Sequence, residues 1–379
     1  TIGKIRLNGN AIASAPAATT AASLNIALPA GAAPAEPPKP GTERDTLKGQ
    51  QITVTFEPDE TTGHERPRRI EVVGNAEATA GGTSESGLNL KARTITAELG
   101  ADAQGRIAVF KAEALDEVHV ADNTAGGTPT FVASANRLTV DPQAGVAHLY
   151  GAPVTVSRDG AVMCGGHLRL TQATGEAFVE GPGTVSSLKD ADPLKPGDQP
   201  SSMLASWQDS MTFDNSTGRV VCVGDASVTM TIADTERNVL QAGTVTLQLT
   251  PAPKPGEKAA APGQREFISA EAIGQLGIDD KPPRPAVMES RRFESVGGVQ
   301  QLQKLTYLEG YRILANQPDR TLDVPVAGKL LVDDRTPGPA PAPGAPAVAT
   351  PIGGFNSTSG TSLFTWSGSL HLSLADGKA

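Results

Sequence analysis

The chain has 379 residues, with 32 Lys and Arg against 41 Asp and Glu, for a formal net charge of -9. That balance argues against a nucleic-acid binder, which needs a basic face to displace counterions from phosphates. Hydrophobic residues make up 38% and aromatics only 4%, with 41 Gly and 30 Pro, a composition suited to a long thin core of small side chains rather than one thick globular core.

In chain order, "TIGKIRLNG" at 1–9 reads as a strand already under way. It lacks the basic and apolar regions of an export signal, so the sequence is expected to be a segment of a longer protein. No run of 18 apolar residues follows, and no membrane-spanning helix is expected. The stretch 15–41 is rich in Ala and Pro and reads as an insertion rather than a helix. From Gly49 onward a small residue, two variable ones and an aliphatic one recur: Gly49 with Ile52, Ala92 with Ile95, Ala135 with Leu138, Gly165 with Leu168, Ala242 with Val245 and Ala327 with Leu330. Another strand-type residue follows two positions later, as in Val54, Val140, Leu170, Leu247 and Val332, the alternation of a half-buried strand. A glycine turn comes next ("DPQAGVA", "TQATGEA", "DNSTGRV"), then a second strand with its own glycine ("AHLYGAPVTV", "AFVEGPGTV", "VCVGDASVTM"). Further Pro/Ala-rich stretches at 251–264 and 337–351 read as insertions at turns, where strand pairing tolerates them.

A longer period overlies these units. Leu204, Trp207, Ser210, Met211 and Phe213 align with Leu363, Trp366, Ser369, Leu370 and Leu372, each pair 159 positions apart, and Ile52 lies 159 before Met211. "GRIAVFKAEALDEVHV" at 105–120 matches "GQREFISAEAIGQLGI" at 263–278, and "HLYGAPVTV" falls where "YLEGYRILA" sits one period later. The expected organisation is the end of a preceding repeat with an insertion at 1–45, a four-unit super-repeat at 46–203, a second with insertions at 204–362, and the start of a third at 363–379. The expected fold is all-β, an elongated stack of antiparallel hairpins with Pro/Ala-rich loop insertions.

Residues 131–185, "FVASANRLTVDPQAGVAHLYGAPVTVSRDGAVMCGGHLRLTQATGEAFVEGPGTV", resemble the OstA-like periplasmic domains of lipopolysaccharide transport, whose N-terminal-like modules share an Ala then a Leu, a polar turn, and a Gly before a Val-x-Val ending. The pattern is clearest over 88–230. The resemblance implies a folded-over sheet, a β-jellyroll or β-taco, that carries the acyl chains of an envelope lipid in an apolar groove in the periplasm and joins other β-jellyroll proteins by end-to-end strand pairing. This chain differs from that family in its length, its 159-residue period and its insertions.

Strand alternation places Leu138 with Val140, Val154 with Val156, Leu168 with Leu170, Met211 with Phe213, and Val228 with Met230 on the same faces, as stacked aliphatic columns lining an interior. These ten residues are the candidate lipid contacts if the interior is a groove, and core if it fills itself. Trp207 and Trp366 share the parity of Met211 and Leu370 and are expected to point inward, in a column continued by Lys48, Lys91, Ser134 and Cys164. Cys164 and Cys222 permit a single disulfide without requiring one.

Chemistry-bearing motifs are sparse. His64, His119, His148, His167 and His371 lack metal-site spacing, although His148 and His167 lie on successive strands and are placed for proximity. Glu113 and Glu271 recur at equivalent places, which argues for a structural role. A carbohydrate-active enzyme would need paired acids in a cleft. The reading is a non-enzymatic lipid-transport bridge of a bacterial cell envelope, without a cofactor and with a lipopolysaccharide-like lipid as partner. The alternative is a structural or adhesive surface solenoid.

Overall fold

The computed structural model describes residues 3–16, 44–59, 63–83, 86–102, 106–123, 131–158, 160–189, 199–233, 235–251, 267–277, 282–335 and 360–373. These residues form twenty-one strands and no helix. The fold is all-β, built of consecutive antiparallel hairpins, as the alternation implies. The chain divides into two compact units: residues 1–183 with 212–217 and 251–263, and residues 184–211, 218–250 and 264–379.

The first unit contains β1 (Lys4–Pro16), β2 (Arg44–Pro58), β3 (Glu65–Thr83), β4 (Ser86–Ala101), β5 (Ile107–Asn123), β6 (Phe131–Asp141), β7 (Val146–Arg158), β8 (Ala161–Thr171) and the start of β9 (Glu176–Lys189). From β1 to β8 each strand pairs antiparallel with the next. Each ladder shifts register partway along, at Asn8/Ala11, Lys48/Gln51, Val73/Ala76, Lys91/Thr94, Leu115/Val118, Ser134/Arg137 and Tyr150/Val154. Because the shifts fall at matching levels of successive strands, they form a seam of bends that divides the sheet into two halves.

That seam explains the recurring small-x-x-aliphatic motif. In a flat strand, residues three apart face opposite sides. Yet Ala92 and Ile95 are both buried, as are Ala135 and Leu138. The strand bends between them, so residues of opposite parity face the same interior. The small residue fits the crowded bend: a Cβ on Gly49 would come within 2.5 Å of the Val72 side chain. Strands crossing in the other sense bend differently. In β3 the bend is Gly74–Asn75, both at positive φ (78° and 49°), and only glycine adopts that conformation without steric cost.

The second unit holds β10 (Ser201–Trp207), the start of β11 (Ser210–Asp214), β12 (Arg219–Ile232), β13 (Glu236–Leu249), β14 (Phe267–Ile273), β15 (Ala286–Val296), β16 (Val299–Gly310), β17 (Arg312–Asn316), β18 (Thr321–Val324), β19 (Gly328–Asp334), β20 (Gly360–Trp366) and β21 (Leu370–Ser373). Here β12 and β13 still run through the bend, and the later passes are broken into separate short strands at it. The first half of β13 pairs with β15 and the second half with β14. Two ladders continue from it, β15–β16–β19–β20 and β14–β17–β18–β21.

The Pro/Ala-rich stretches fall almost wholly outside the described residues, but their flanks are informative. Pro16 pairs with Arg44, Leu249 with Phe267, and Asp334 with Gly360. Each stretch therefore joins the ends of a closed hairpin, and the ladder is intact on either side. Other sequence alignments transfer less well. The match of 263–278 to 105–120 holds through Ala270, Ala272 and Ile273, where β14 ends; Leu276, aligned with buried Val118, is 66% exposed. An excursion containing Pro282, Pro283 and Pro285 interrupts the pass there, since proline cannot donate to a ladder, and β15 resumes pairing with β13.

The 159-residue spacing also spans unequal structure. Eight strands, β2 to β9, lie from Ile52 up to β10. Six passes lie from β10–β11 to β18–β19 before Leu370 is reached on β21, if the two short strands flanking a bend count as one pass.

Candidate functional site

The candidate lipid-contacting residues lie on in-register columns. On one half of the first unit, Ile52, Val72, Ile95, Ala114, Leu138, Leu149 and Leu168 are successive ladder partners. Beside that column, Val140 pairs with Ala147, which pairs with Leu170. On the other half, Val156 continues the row of Leu90, Val120 and Ala133, and Val154 lies opposite Gly165. Leu138, Val140, Val154, Val156, Leu168 and Leu170 are all buried. In the second unit, Met211 and Val228 are buried and Met230 is half-buried, in register with Met203 and Asn238; Phe213, which belongs to the first unit, is also half-buried.

Sequence reasoning missed Leu149, the member of the first column between Leu138 and Leu168, and its counterparts Leu308 and Ile313 in the second unit, all buried. The signal was present in Leu149, which alternates with Ala147 just before a glycine. The rows are closed to water: Leu138 is 1% exposed, and Leu149 and Leu168 are 2%.

Ladder hydrogen bonds among the described residues run within each half of the first unit and are interrupted at the bends, where the register shifts. None joins the two halves at the margin opposite the seam, where the hairpin turns lie. The halves are tied covalently along one side, and elsewhere their buried apolar faces lie against the interior.

The indoles differ in environment. Trp207 is 1% exposed, whereas Trp366 is half-buried and its Nε1–H donates to the Val326 carbonyl at 2.8 Å. The column expected to continue from Trp207 does not form. Lys91 is exposed and Lys48, Ser134 and Cys164 are half-buried, because in those strands the neighbouring Ala92, Gly49, Ala135 and Gly165 occupy the bend. Between β10 and β11 the bend takes an extra residue, at Gln208–Asp209, and this shifts the inward position to Trp207.

The acids and thiols have structural surroundings. Glu113 pairs with Arg137 and Glu271 with Arg312, each at 2.6 Å. In both cases the arginine sits two residues before the ladder partner of the acid, so the recurring acid is one arm of a recurring cross-strand ion pair. Cys164 and Cys222 are free thiols. Cys222 lies opposite Val245 in the second unit, and burial pushes its pKa up to about 12. At pH 8 a thiol reagent is expected to modify half-buried Cys164 and leave Cys222 untouched until denaturant is added, because the thiolate is the reactive form. Fast modification of both thiols in the folded chain would contradict this placement.

His148 and His167 do meet, on the outer face of β7 and β8, where His148 Nδ1 lies 3.0 Å from His167 Nε2. Glu180 Oε2 lies 2.9 Å from His167 Nδ1, and Tyr150 stacks on His167 with ring centroids 4.4 Å apart. Burial first, then the charges of His167 and Arg169, hold the His148 pKa below the ordinary histidine range. His119 and His371 are apart from this cluster, bonded to Ser134 and Asp323. Among the described residues, no group of three or more His, Cys, Asp or Glu is arranged to hold a metal ion.

No family model matches the chain, and no curated protein matches it. Among solved structures it is similar to LptH, the LptA-homologous periplasmic component of the lipopolysaccharide transport device of Pseudomonas aeruginosa. The two are 16% identical with a TM-score of 0.24, over 36% of this chain and 93% of that one. A likeness of this extent does not define a function.

Proposed function

We propose that this chain is a non-enzymatic protein of the bacterial cell envelope that carries the acyl chains of a lipopolysaccharide-like lipid between its two half-sheets. In this reading it acts in the periplasm as one element of a bridge. It joins other β-jellyroll proteins by end-to-end strand pairing. The observation that carries the proposal is the one-sided seam beneath continuous apolar rows. The halves can part at the margin opposite the bends without breaking a ladder hydrogen bond, and an acyl chain then lies along the Leu138 and Val140 rows in place of the facing side chains. Burial is worth about 0.8 kcal/mol per methylene, so a chain of about twelve carbons gains on the order of 10 kcal/mol in transfer from water. That gain is set against the side-chain contacts it displaces.

A photo-crosslinking residue at Leu138, Leu168 or Met211 is expected to capture lipopolysaccharide or another envelope lipid, while one at the outward neighbours Thr139, Arg169 or Thr212 is not. A charge at Leu168 is expected to abolish capture, with circular dichroism on the same sample to confirm folding. Equal, weak labelling from inward and outward positions of a folded protein would rule out the bridge. It would leave the second reading, a rigid surface spacer, which the closed packing of Leu138, Leu149 and Leu168 favours.

A further inference from the structure

The outer face of the first unit carries a cluster that the lipid reading does not use. His148 pairs in register with Arg169, and Tyr150 with His167, so His148 and His167 are diagonal cross-strand neighbours on the face opposite Leu149 and Leu168. Their facing nitrogens are 3.0 Å apart. Two imidazoles on one metal ion, with metal–nitrogen bonds of 2.0–2.1 Å, place their nitrogens about 2.9 Å apart at a right angle and about 3.3 Å apart in a tetrahedron. The backbone therefore already holds the pair at ligand spacing. The ion takes the place of the proton now shared between the two nitrogens: His148 passes to its Nε2–H tautomer, which frees a lone pair on Nδ1 beside that of His167 Nε2.

The surroundings fit that use. His167, with 23% of its side chain exposed, is stacked on Tyr150 with only 6° between the ring planes. Its Nδ1–H donates to Glu180 Oε2, which leaves Nε2 as the lone-pair nitrogen directed at His148. A carboxylate behind the far nitrogen is the arrangement that orients metal-bound histidines and raises their basicity. The neighbouring cations each have an acid partner: Arg169 pairs with Glu176 at 2.8 Å and lies over the Phe178 ring, and Arg137 pairs with Glu113.

We propose that His148 and His167, with Glu180 behind them, form a two-histidine site for a borderline divalent transition-metal ion, copper(II) or zinc, with its remaining positions open to water or an external ligand. Imidazole ligands suit these ions, and the general affinity order puts copper(II) above zinc. Magnesium, which prefers oxygen ligands and keeps its waters, is excluded. The proposal is independent of whether lipid enters the interior.

The test is calorimetric titration of the full chain with zinc, copper(II) and magnesium ions, together with electron paramagnetic resonance of the copper form to detect coordinated nitrogen. About one equivalent of zinc or copper and no magnesium should bind at micromolar concentrations. His148→Ala and His167→Ala should each lose at least tenfold in affinity. Glu180→Gln should lose about tenfold or more, the usual cost of removing an orienting carboxylate. His119→Ala, a histidine two strands away on β5, should bind as the parent does. Circular dichroism confirms that each variant is folded. Absence of zinc and copper binding, or binding that survives either His148→Ala or His167→Ala in a folded protein, would overturn the proposal. An unchanged affinity in Glu180→Gln would remove Glu180 from it.

Discussion

Leu149→Ala is expected to lower the unfolding free energy by about 2–5 kcal/mol, the range for a buried leucine whose surroundings relax only partly. Leu149 sits between Leu138 and Leu168 in one row, its direct ladder partners on either side, so the truncation opens a void with aliphatic walls. Thr139→Ala on the outer face should change stability by no more than about 0.5 kcal/mol. Urea unfolding followed by circular dichroism measures both. The comparison also separates the two functional readings energetically. A self-filled interior makes Leu149→Ala costly in the lipid-free chain. If it cost no more than Thr139→Ala, the row would line a groove whose side chains do not support one another. Adding lipid should then narrow the difference between parent and variant under the bridge reading, since the acyl chain fills the void, and leave it unchanged under the spacer reading.

The rows themselves were legible because strand parity is a local property. Leu138 and Val140, or Leu168 and Leu170, can face the same side only if the intervening residue faces away, and the structure buries all four. The bend was written in the same letters but needs a second inference. Ala135 and Leu138 cannot both be interior on a flat strand, so the burial of both requires a fold in the sheet, which the motif read as small-x-x-aliphatic did not state. Which residues meet across strands was less accessible. His148 and His167 lie on successive strands joined by a tight turn, and their proximity followed from that. Glu180 belongs to the strand after, and its place beside His167 depends on a register that no local motif sets. The long period misled in another way. Equal spacing of Trp207 and Trp366 from their predecessors concealed a change from eight passes to six, because insertions at 251–264 and 337–351 lengthen the second span without adding strands.

Gly218→Ala is expected to destabilise the second unit by more than about 3 kcal/mol, whereas Gly145→Ala, in a sister turn of the first unit, should cost only about 1 kcal/mol. Both glycines have positive φ, 73° and 63°, so each substitution carries the penalty of placing a Cβ in the left-handed region. They differ in what surrounds the new atom. At Gly145 the nearest neighbour is the Gln172 side chain at 3.4 Å, an ordinary contact. At Gly218 the new Cβ would press on the Leu249 carbonyl oxygen and come within 2.9 Å of the Thr250 oxygen. Those atoms are backbone, and Leu249 is fixed there because its N–H donates to the Gly218 carbonyl at 2.9 Å. Relieving the clash means pulling that hydrogen bond apart at the end of the β12–β13 ladder, beside the long insertion. The damage should be local first: hydrogen exchange should speed up at Leu249 and its β12 neighbours before the core of β13 is affected. Equal costs for the two substitutions, or unchanged exchange at Leu249, would mean that the close approach of the two strands at Gly218 is not part of the folded chain in solution.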